Sequence, residues 1–397
     1  MSRSSIEAIS QGIWMKVITV MYTLKRGGAY DRFKMMVETF LEREWEVHCL
    51  SLTPIRFDHP LYYNHVLPPT IGADSDVAMR FFTISVLPFY SLWVSWRRRV
   101  DLFVAFGSLY AFVEALAKCV LRKPMITLIR GDSTYGLKVR GAPRYLLVLN
   151  GLVEDLGLFF SDRIIAVNQA IRDKIIRGRG KRKGTEIETL FNNITPIPAP
   201  APEEIDQTRA KFGISKGAKV LVTAGILNGG KNIEMLIRSL SRIGMDAVLL
   251  IIGDGATKAD LRYKTYLIDV VKTLNLRNRV IFTGWLDKET LWRVFRSADL
   301  FLLPSRSEGM PNVMLEALGC DLPCLGSRIP GIEDILQYEE LMFHPMDEQT
   351  IVNKVRKLFS DIQYFQRIKG LCQERKIAFF FDWKERMFQA VTGVIRS

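Results

Sequence analysis

Apolar positions along this chain alternate between two textures. Short runs that are apolar almost throughout occur at Val17–Met21, Val47–Leu52, Leu102–Phe106, Met125–Ile129 and Arg163–Val167, then at Val220–Ala224, Ala247–Ile252, Val280–Thr283, Leu300–Leu303 and Pro323–Leu325. Runs without polar alternation predict strands buried on both faces, as in parallel sheets. Longer amphipathic stretches separate several of them, including Ala29–Leu41, Tyr110–Leu121 and Arg144–Phe160, and these predict helices. Buried strands with helical crossovers predict an α/β chain of two doubly wound, Rossmann-like domains. In such sheets ligands bind beyond the carboxyl ends of the strands, so the loops there are the candidate site loops.

Prolines at 196, 198, 200 and 202 interrupt the pattern near mid-chain. Alternating prolines favour an extended, semi-rigid connector and disfavour helix. The expected division is therefore 1–195 for a first domain, 196–207 for a linker and 208–378 for a second domain. The segment Phe379–Val394, aromatic-rich and amphipathic, predicts a terminal helix. A length of 397 residues and 48% hydrophobic composition suffice for two cores and give no sign of extended disorder. Residues 1–14 lack the apolar run of a signal peptide, and Met15-Lys16 opens the first strand. Five scattered cysteines predict a reduced, cytoplasmic chain without disulfides, and Cys320 and Cys324, with no His at zinc-ligand spacing, read as small buried residues.

The segment Leu300–Leu318, LFLLPSRSEGMPNVMLEAL, carries the clearest chemistry. A strand breaks at Pro304, a polar loop with Gly309 follows, and a helix starts near Pro311. Glu308 lies in the loop and Glu316 about one turn into the helix. Free N–H groups and the positive end of the helix dipole at such a junction suit a phosphate. Carboxylates beside it accept hydrogen bonds from sugar hydroxyls. Upstream, Ala224 to Asn232 forms a second strand–loop–helix junction, rich in glycine and charged by Lys231.

With Pro304-Ser305, Glu308-Gly309, Pro311 and Glu316-Ala317, this stretch resembles the Glu-x7-Glu signature of the family 4 retaining glycosyltransferases (glycosyltransferase group 1). The resemblance extends over nearly the whole chain. It implies the GT-B fold, in which two Rossmann-like domains face each other across a cleft and a C-terminal helix, here 379–397, crosses back to the first domain. It implies transfer of a sugar from a nucleoside diphosphate sugar, with retention, to a glycan or lipid-linked acceptor of cell-envelope or exopolysaccharide biosynthesis. No cofactor or metal is implied. By the same resemblance Glu316 would hold the ribose diol, Glu308 would bind the transferred sugar, and Lys231 would stabilise the departing diphosphate. Gly225 and Gly253 would lie near the nucleotide, Gly309, Met310, Pro311 and Asn312 would add contacts to sugar or phosphates, and Trp285 would pack near the base. Gly27 and Gly28 resemble the family's Gly-Gly loop, which faces donor phosphate and acceptor. The family usually carries Arg directly after the first glycine of the Lys loop, where this chain has Ile226; that departure bears on diphosphate affinity.

Asp132, just beyond Met125–Ile129, is placed to orient or deprotonate an acceptor hydroxyl, or to cap a helix. His59 and His65, in a Pro- and Tyr-rich loop, read as structural. Charge then adds a partner. The formal net charge is +13 and uneven: residues 1–200 hold 27 Lys and Arg against 18 Asp and Glu. Phe81–Trp96 is sixteen uncharged residues followed by Arg97-Arg98-Arg99. It is too short to span a bilayer and is interrupted by Pro88, which suits a segment in an anionic membrane interface or a core helix with a solvated basic end. The expected place is peripheral, on the cytoplasmic face of the membrane. The alternatives are a catalytically silent GT-B scaffold that binds a glycan, a related GT-B nucleotide-sugar epimerase, and a nucleic-acid binder. The last rests on charge alone, with no recognition motif, so nucleic acid is not an expected partner.

Overall fold

A computed structural model describes residues 14–21, 28–67, 82–139, 142–178, 182, 184–198, 202–215 and 217–396. The chain divides into two compact units, one of residues 1–138, 142–190 and 382–397, the other of residues 139–141 and 191–381.

The first unit runs β1 (Lys16–Val20), α1 (Gly28–Leu41), β2 (Glu46–Ser51), β3 (Tyr62–Val66), α2 (Leu87–Arg98), β4 (Leu102–Ala105), α3 (Ser108–Leu121), β5 (Met125–Ile129), α4 (Ser133–Val139), α5 (Arg144–Phe159), β6 (Arg163–Ala166), α6 (Gln169–Arg177) and β7 (Glu186–Thr189). These strands form a parallel sheet in the order β3-β2-β1-β4-β5-β6-β7. The central strands β1, β4 and β5 are buried along nearly their whole length, which is why they read as continuous apolar runs. Ile18, Val20, Leu50, Phe103 and Met125 join Leu87, Val94, Ala111 and Val113 of α2 and α3 in one core cluster. The edge strands β3 and β7 are only partly buried and carry polar side chains, so their apolar signal is weak. His65 accordingly lies in β3, not in a loop, with its Nε2 3.0 Å from His48 Nδ1.

The second unit continues with α7 (Pro202–Lys211), β8 (Lys219–Ala224), α8 (Ile233–Ile243), β9 (Ala247–Ile252), α9 (Lys258–Thr273), β10 (Val280–Gly284), α10 (Lys288–Ser297), β11 (Leu300–Leu303), α11 (Asn312–Gly319), β12 (Cys324–Ser327), α12 (Pro330–Leu336), β13 (Met342–Phe343), α13 (Glu348–Ser360) and α14 (Ile362–Ala378). Its parallel sheet has the order β10-β9-β8-β11-β12-β13. The proline-rich segment differs from expectation at one end. Pro202 opens α7, because proline lacks only an N–H that the first turn leaves unpaired anyway.

The last helix, α15 (Trp383–Arg396), belongs to the first unit. Trp383 is buried there with the Arg32 guanidinium 5.4 Å from its ring centroid. Phe388 meets Trp45 at 5.0 Å, Arg43 pairs with Glu385 at 2.7 Å, and Arg163 donates to the Ala390 carbonyl at 2.8 Å. All five cysteines are free thiols; Cys320 and Cys324 are buried, as are Cys49 and Cys372, and Cys119 is exposed.

Candidate active site

The site residues of the second unit gather at the carboxyl ends of β8, β9 and β11. Gly225 directly follows β8 and Gly253 directly follows β9, both with positive φ. They back directly onto each other: a Cβ on Gly253 would lie 2.0 Å from the Gly225 carbonyl oxygen. A Cβ on Gly225 would in turn lie 3.2 Å from Lys231 Cε, so the bare backbone there leaves room for the lysine stem. Lys231 ends a short 3-10 turn, Gly229–Lys231, and Asn232 follows it in the left-handed conformation.

Asn232 fixes this loop. Its buried amide donates to the carbonyls of Pro304 at 3.2 Å and Pro345 at 2.8 Å, and its Oδ1 accepts from Arg306 at 2.8 Å. The Arg306 N–H donates to the Gly230 carbonyl at 2.8 Å. The loop after β8 and the loop after β11 are thus one assembly. Arg306 also pairs with Glu234 at 3.4 Å, and Glu234 accepts from the Tyr263 hydroxyl.

Lys231 and Glu308 are in direct contact, with Nζ 2.6 Å from Oε1, both side chains largely buried. The Ser305 hydroxyl donates to the same Glu308 oxygen at 2.6 Å. The family resemblance implies phosphate for Lys231 and sugar for Glu308; in the structure the two form a single charge pair. The Glu308-Gly309 turn packs on the start of α12: a Cβ on Gly331 would fall 2.0 Å from the Gly309 carbonyl oxygen and 3.0 Å from that of Glu308. Beyond it, Pro311 precedes α11, and Asn312 and Glu316 share one face of that helix at i, i+4 spacing. Asn192, almost wholly buried, donates from its amide to the Met310 carbonyl at 3.1 Å and to Asn312 Oδ1 at 2.6 Å. Asn192, Asn232 and Gly331 support the site with Ser305, and of these four only Ser305 belongs to the quoted motif; the one signal for Asn232 is that a lone Asn after a Gly-Lys pair suits a left-handed turn.

The remaining candidates sit nearby or elsewhere. The Gly253 N–H donates to the Gly284 carbonyl at 2.9 Å, so β9 and β10 end together with half-exposed Trp285 just beyond. Asp254 is bound by Lys264 at 2.8 Å, and that bond holds its carboxyl below the usual range. In the first unit Gly28 opens α1, whereas Gly27 lies outside the described residues. Asp132 accepts from the Tyr135 N–H at 2.9 Å and from Lys174 at 2.6 Å. Both of its carboxylate oxygens are engaged, and the helix-capping reading is realised. A pocket beside it is lined by Ser108, Gly131, Glu154, Leu158, Lys174 and Ile175. Glu154 accepts there from Ser108 at 3.0 Å and Thr134 at 2.7 Å. Among the described residues, no group of three or more His, Cys, Asp or Glu is placed to hold a metal.

Comparison with known proteins agrees with this geometry. Residues 204–369 match the family described as Glycosyl transferases group 1, a span that contains Lys231, Glu308 and Glu316. The chain is 26% identical over 312 residues to the N-acetyl-alpha-D-glucosaminyl L-malate synthase of Bacillus anthracis, covering 75% of this chain and 74% of that protein. It is 28% identical over 170 residues to an Escherichia coli UDP-Gal:alpha-D-GlcNAc-diphosphoundecaprenol alpha-1,3-galactosyltransferase, covering 41% of this chain and 42% of the relative. A solved structure of Anabaena Alr3699/HepE in complex with UDP-glucose superposes with a TM-score of 0.79 at 18% identity, over 96% of this chain and 100% of that one, which shows the shared GT-B fold. The group 1 match thus falls within the second unit, where Lys231 and Glu308 are joined at the ends of β8 and β11.

Proposed function

We propose that the protein transfers a hexosyl group from a nucleoside diphosphate sugar to a glycan or lipid-linked acceptor of cell-envelope or exopolysaccharide biosynthesis, with retention of anomeric configuration. The carrying observation is the Lys231–Glu308 pair at 2.6 Å, held by Ser305 and by a loop assembly that Asn232 and Arg306 lock together. A donor sugar needs both charges at adjacent points. As the bond from the anomeric carbon to the phosphate oxygen breaks, its electrons stay on the diphosphate, which Lys231 meets. The sugar hydroxyls donate to Glu308. The acceptor hydroxyl forms the new bond at the anomeric carbon and releases its proton with the nucleoside diphosphate. Glu316, on the face of α11 shared with Asn312, accepts from the ribose hydroxyls.

Arg306 supplies a second cation at the glycine-rich loop, where Ile226 offers none. Lys231, Arg306 and the backbone N–H groups around Gly309 then meet the diphosphate without a metal ion. The relative named for UDP-Gal and a diphosphoundecaprenol-linked acceptor, and the neighbour solved with UDP-glucose, support a UDP-sugar and a lipid-linked acceptor. The first unit supports a peripheral, cytoplasmic-face position: α2 turns Phe89, Trp93 and Trp96 outward and ends in Arg97 and Arg98. No helix among the described residues is long and apolar enough to cross a membrane.

The test is incubation with a panel of UDP-, GDP- and ADP-sugars, with and without EDTA, reading release of nucleoside diphosphate and the anomeric configuration of the product by NMR. One donor should turn over, chelator-insensitive, with retention. No turnover of any donor, alongside retained glycan binding, identifies a silent scaffold instead.

A further inference from the structure

The outer face of α5 takes no part in the chemistry above. Tyr145, Val148, Leu149, Leu152, Leu156 and Phe159 are all exposed, from 44% for Phe159 to 70% for Tyr145. Their spacing makes one stripe along the whole helix, with Asp155 its one acidic interruption. The opposite face is anchored: a Cβ on Gly157 would lie 2.4 Å from the Ser108 carbonyl oxygen, so α5 lies backbone-close against α3. The stripe therefore cannot roll inward. An amphipathic helix normally buries its apolar face; here both faces are apolar, and the outer one has no cover among the described residues.

The neighbours indicate the cover. α2, α3 and α5 lie side by side in one layer. α2 adds exposed Phe89, Trp93 and Trp96. The carboxyl ends of α2 and α3 meet around a pocket lined by Trp96, Arg97, Arg99, Asp101, Leu121 and Lys123, in which Asp101 pairs with Lys123 at 3.4 Å and leaves Arg97 and Arg99 in excess. The layer thus presents aliphatic side chains along its flank, Trp and Tyr rings among them, and a cluster of cations at one end. Aliphatic groups suit acyl chains, amphipathic rings suit the headgroup level, and the cations complement anionic headgroups.

We infer that the outer face of α5 is a bilayer-contact surface that seats the first unit on anionic lipid. This deepens the peripheral-membrane reading given above and rests on it only for the nature of the partner. There α2 and its arginines make the contact; here α5 supplies the apolar part.

The experiment is flotation of the full chain with vesicles of phosphatidylcholine alone and of phosphatidylcholine with about a third phosphatidylglycerol, alongside light scattering for oligomeric state. Wild type should float with the anionic vesicles. Leu152→Gln/Leu156→Gln, folded by circular dichroism, should lose about tenfold in partitioning while keeping donor hydrolysis. Should that variant fail to fold, Asp155→Asn reads the same surface and should strengthen flotation several-fold. Flotation unchanged by the α5 variants but abolished by neutralising Arg97–Arg99 would overturn the inference and leave the α2 reading standing. No flotation of wild type overturns both. A wild-type oligomer that does not float and that the double variant dissociates assigns the stripe to a second copy of the chain, which also overturns it.

Discussion

At the scale of single residues, Lys231 and Glu308 are held in place by a loop assembly with its own supporting residues. Asn232 is the clearest: three hydrogen bonds to Pro304, Pro345 and Arg306, made from a left-handed backbone and a buried side chain. Asn232→Ala should cost about 2–4 kcal/mol of stability, since it strands those partners and puts a Cβ with no compensating bond at positive φ. Asn232→Gly should cost less, by roughly 1 kcal/mol, because glycine removes the backbone penalty. Denaturant unfolding of the two variants measures the difference, and equal losses would remove the backbone part of the argument. Lys231 and Glu308 were readable in the sequence as candidates because Lys and Glu at strand–loop–helix junctions have chemical reasons to be there, and the structure brings the two together. Asn232 and Asn192 were not, because the Pro304 and Met310 carbonyls that they bond lie 72 and 118 residues away in the chain.

At the scale of elements, the central strands were readable and the edges were not. β1, β5, β9 and β11 are buried throughout or nearly so and emerge as apolar runs, whereas β3, β7 and the two-residue β13 are either half-solvated or too short to show a period. Close packing between elements was equally invisible. Gly331 drew no reading from the sequence, yet its missing side chain is the space that the Glu308-Gly309 turn fills. Gly331→Ala should push that turn by about 1 Å and lower kcat/KM by roughly tenfold to a hundredfold, with the fold retained. Steady-state kinetics beside circular dichroism checks this, and unchanged kinetics would mean that the turn is not the working part.

The β2–β3 edge carries a pH prediction. Burial first, and then the neighbouring His65, pull the His48 pKa from 6.5 down to about 4. Between those values the unfolded chain binds a proton that the native chain refuses, so stability is full above pH 6.5 and falls as pH drops towards 4. Thermal midpoints across that window should slope downward on acidification in wild type, and His48→Gln should flatten the slope. An identical slope in the variant would move the effect to other groups.

At the scale of the whole molecule, the two-unit α/β plan follows from periodicity, and the unit boundaries follow from packing. The change of unit falls between Leu190 and Phe191, ahead of the prolines, because Asn192 and Ile194 already bond to Met310 and Phe379 of the second unit. The positive charge concentrated in residues 1–200 lies in the same half as the apolar layer of α2, α3 and α5, and the residues matched to the group 1 family lie in the other half. The central claim is that the Lys231–Glu308 pair runs sugar transfer. The direct measurement is kcat and KM of Lys231→Ala and Glu308→Gln with the donor that turns over. Each should lose about a hundredfold or more in kcat, about 3 kcal/mol of transition-state stabilisation, with a folded protein and a smaller change in KM. Wild-type kcat in both variants would contradict the account.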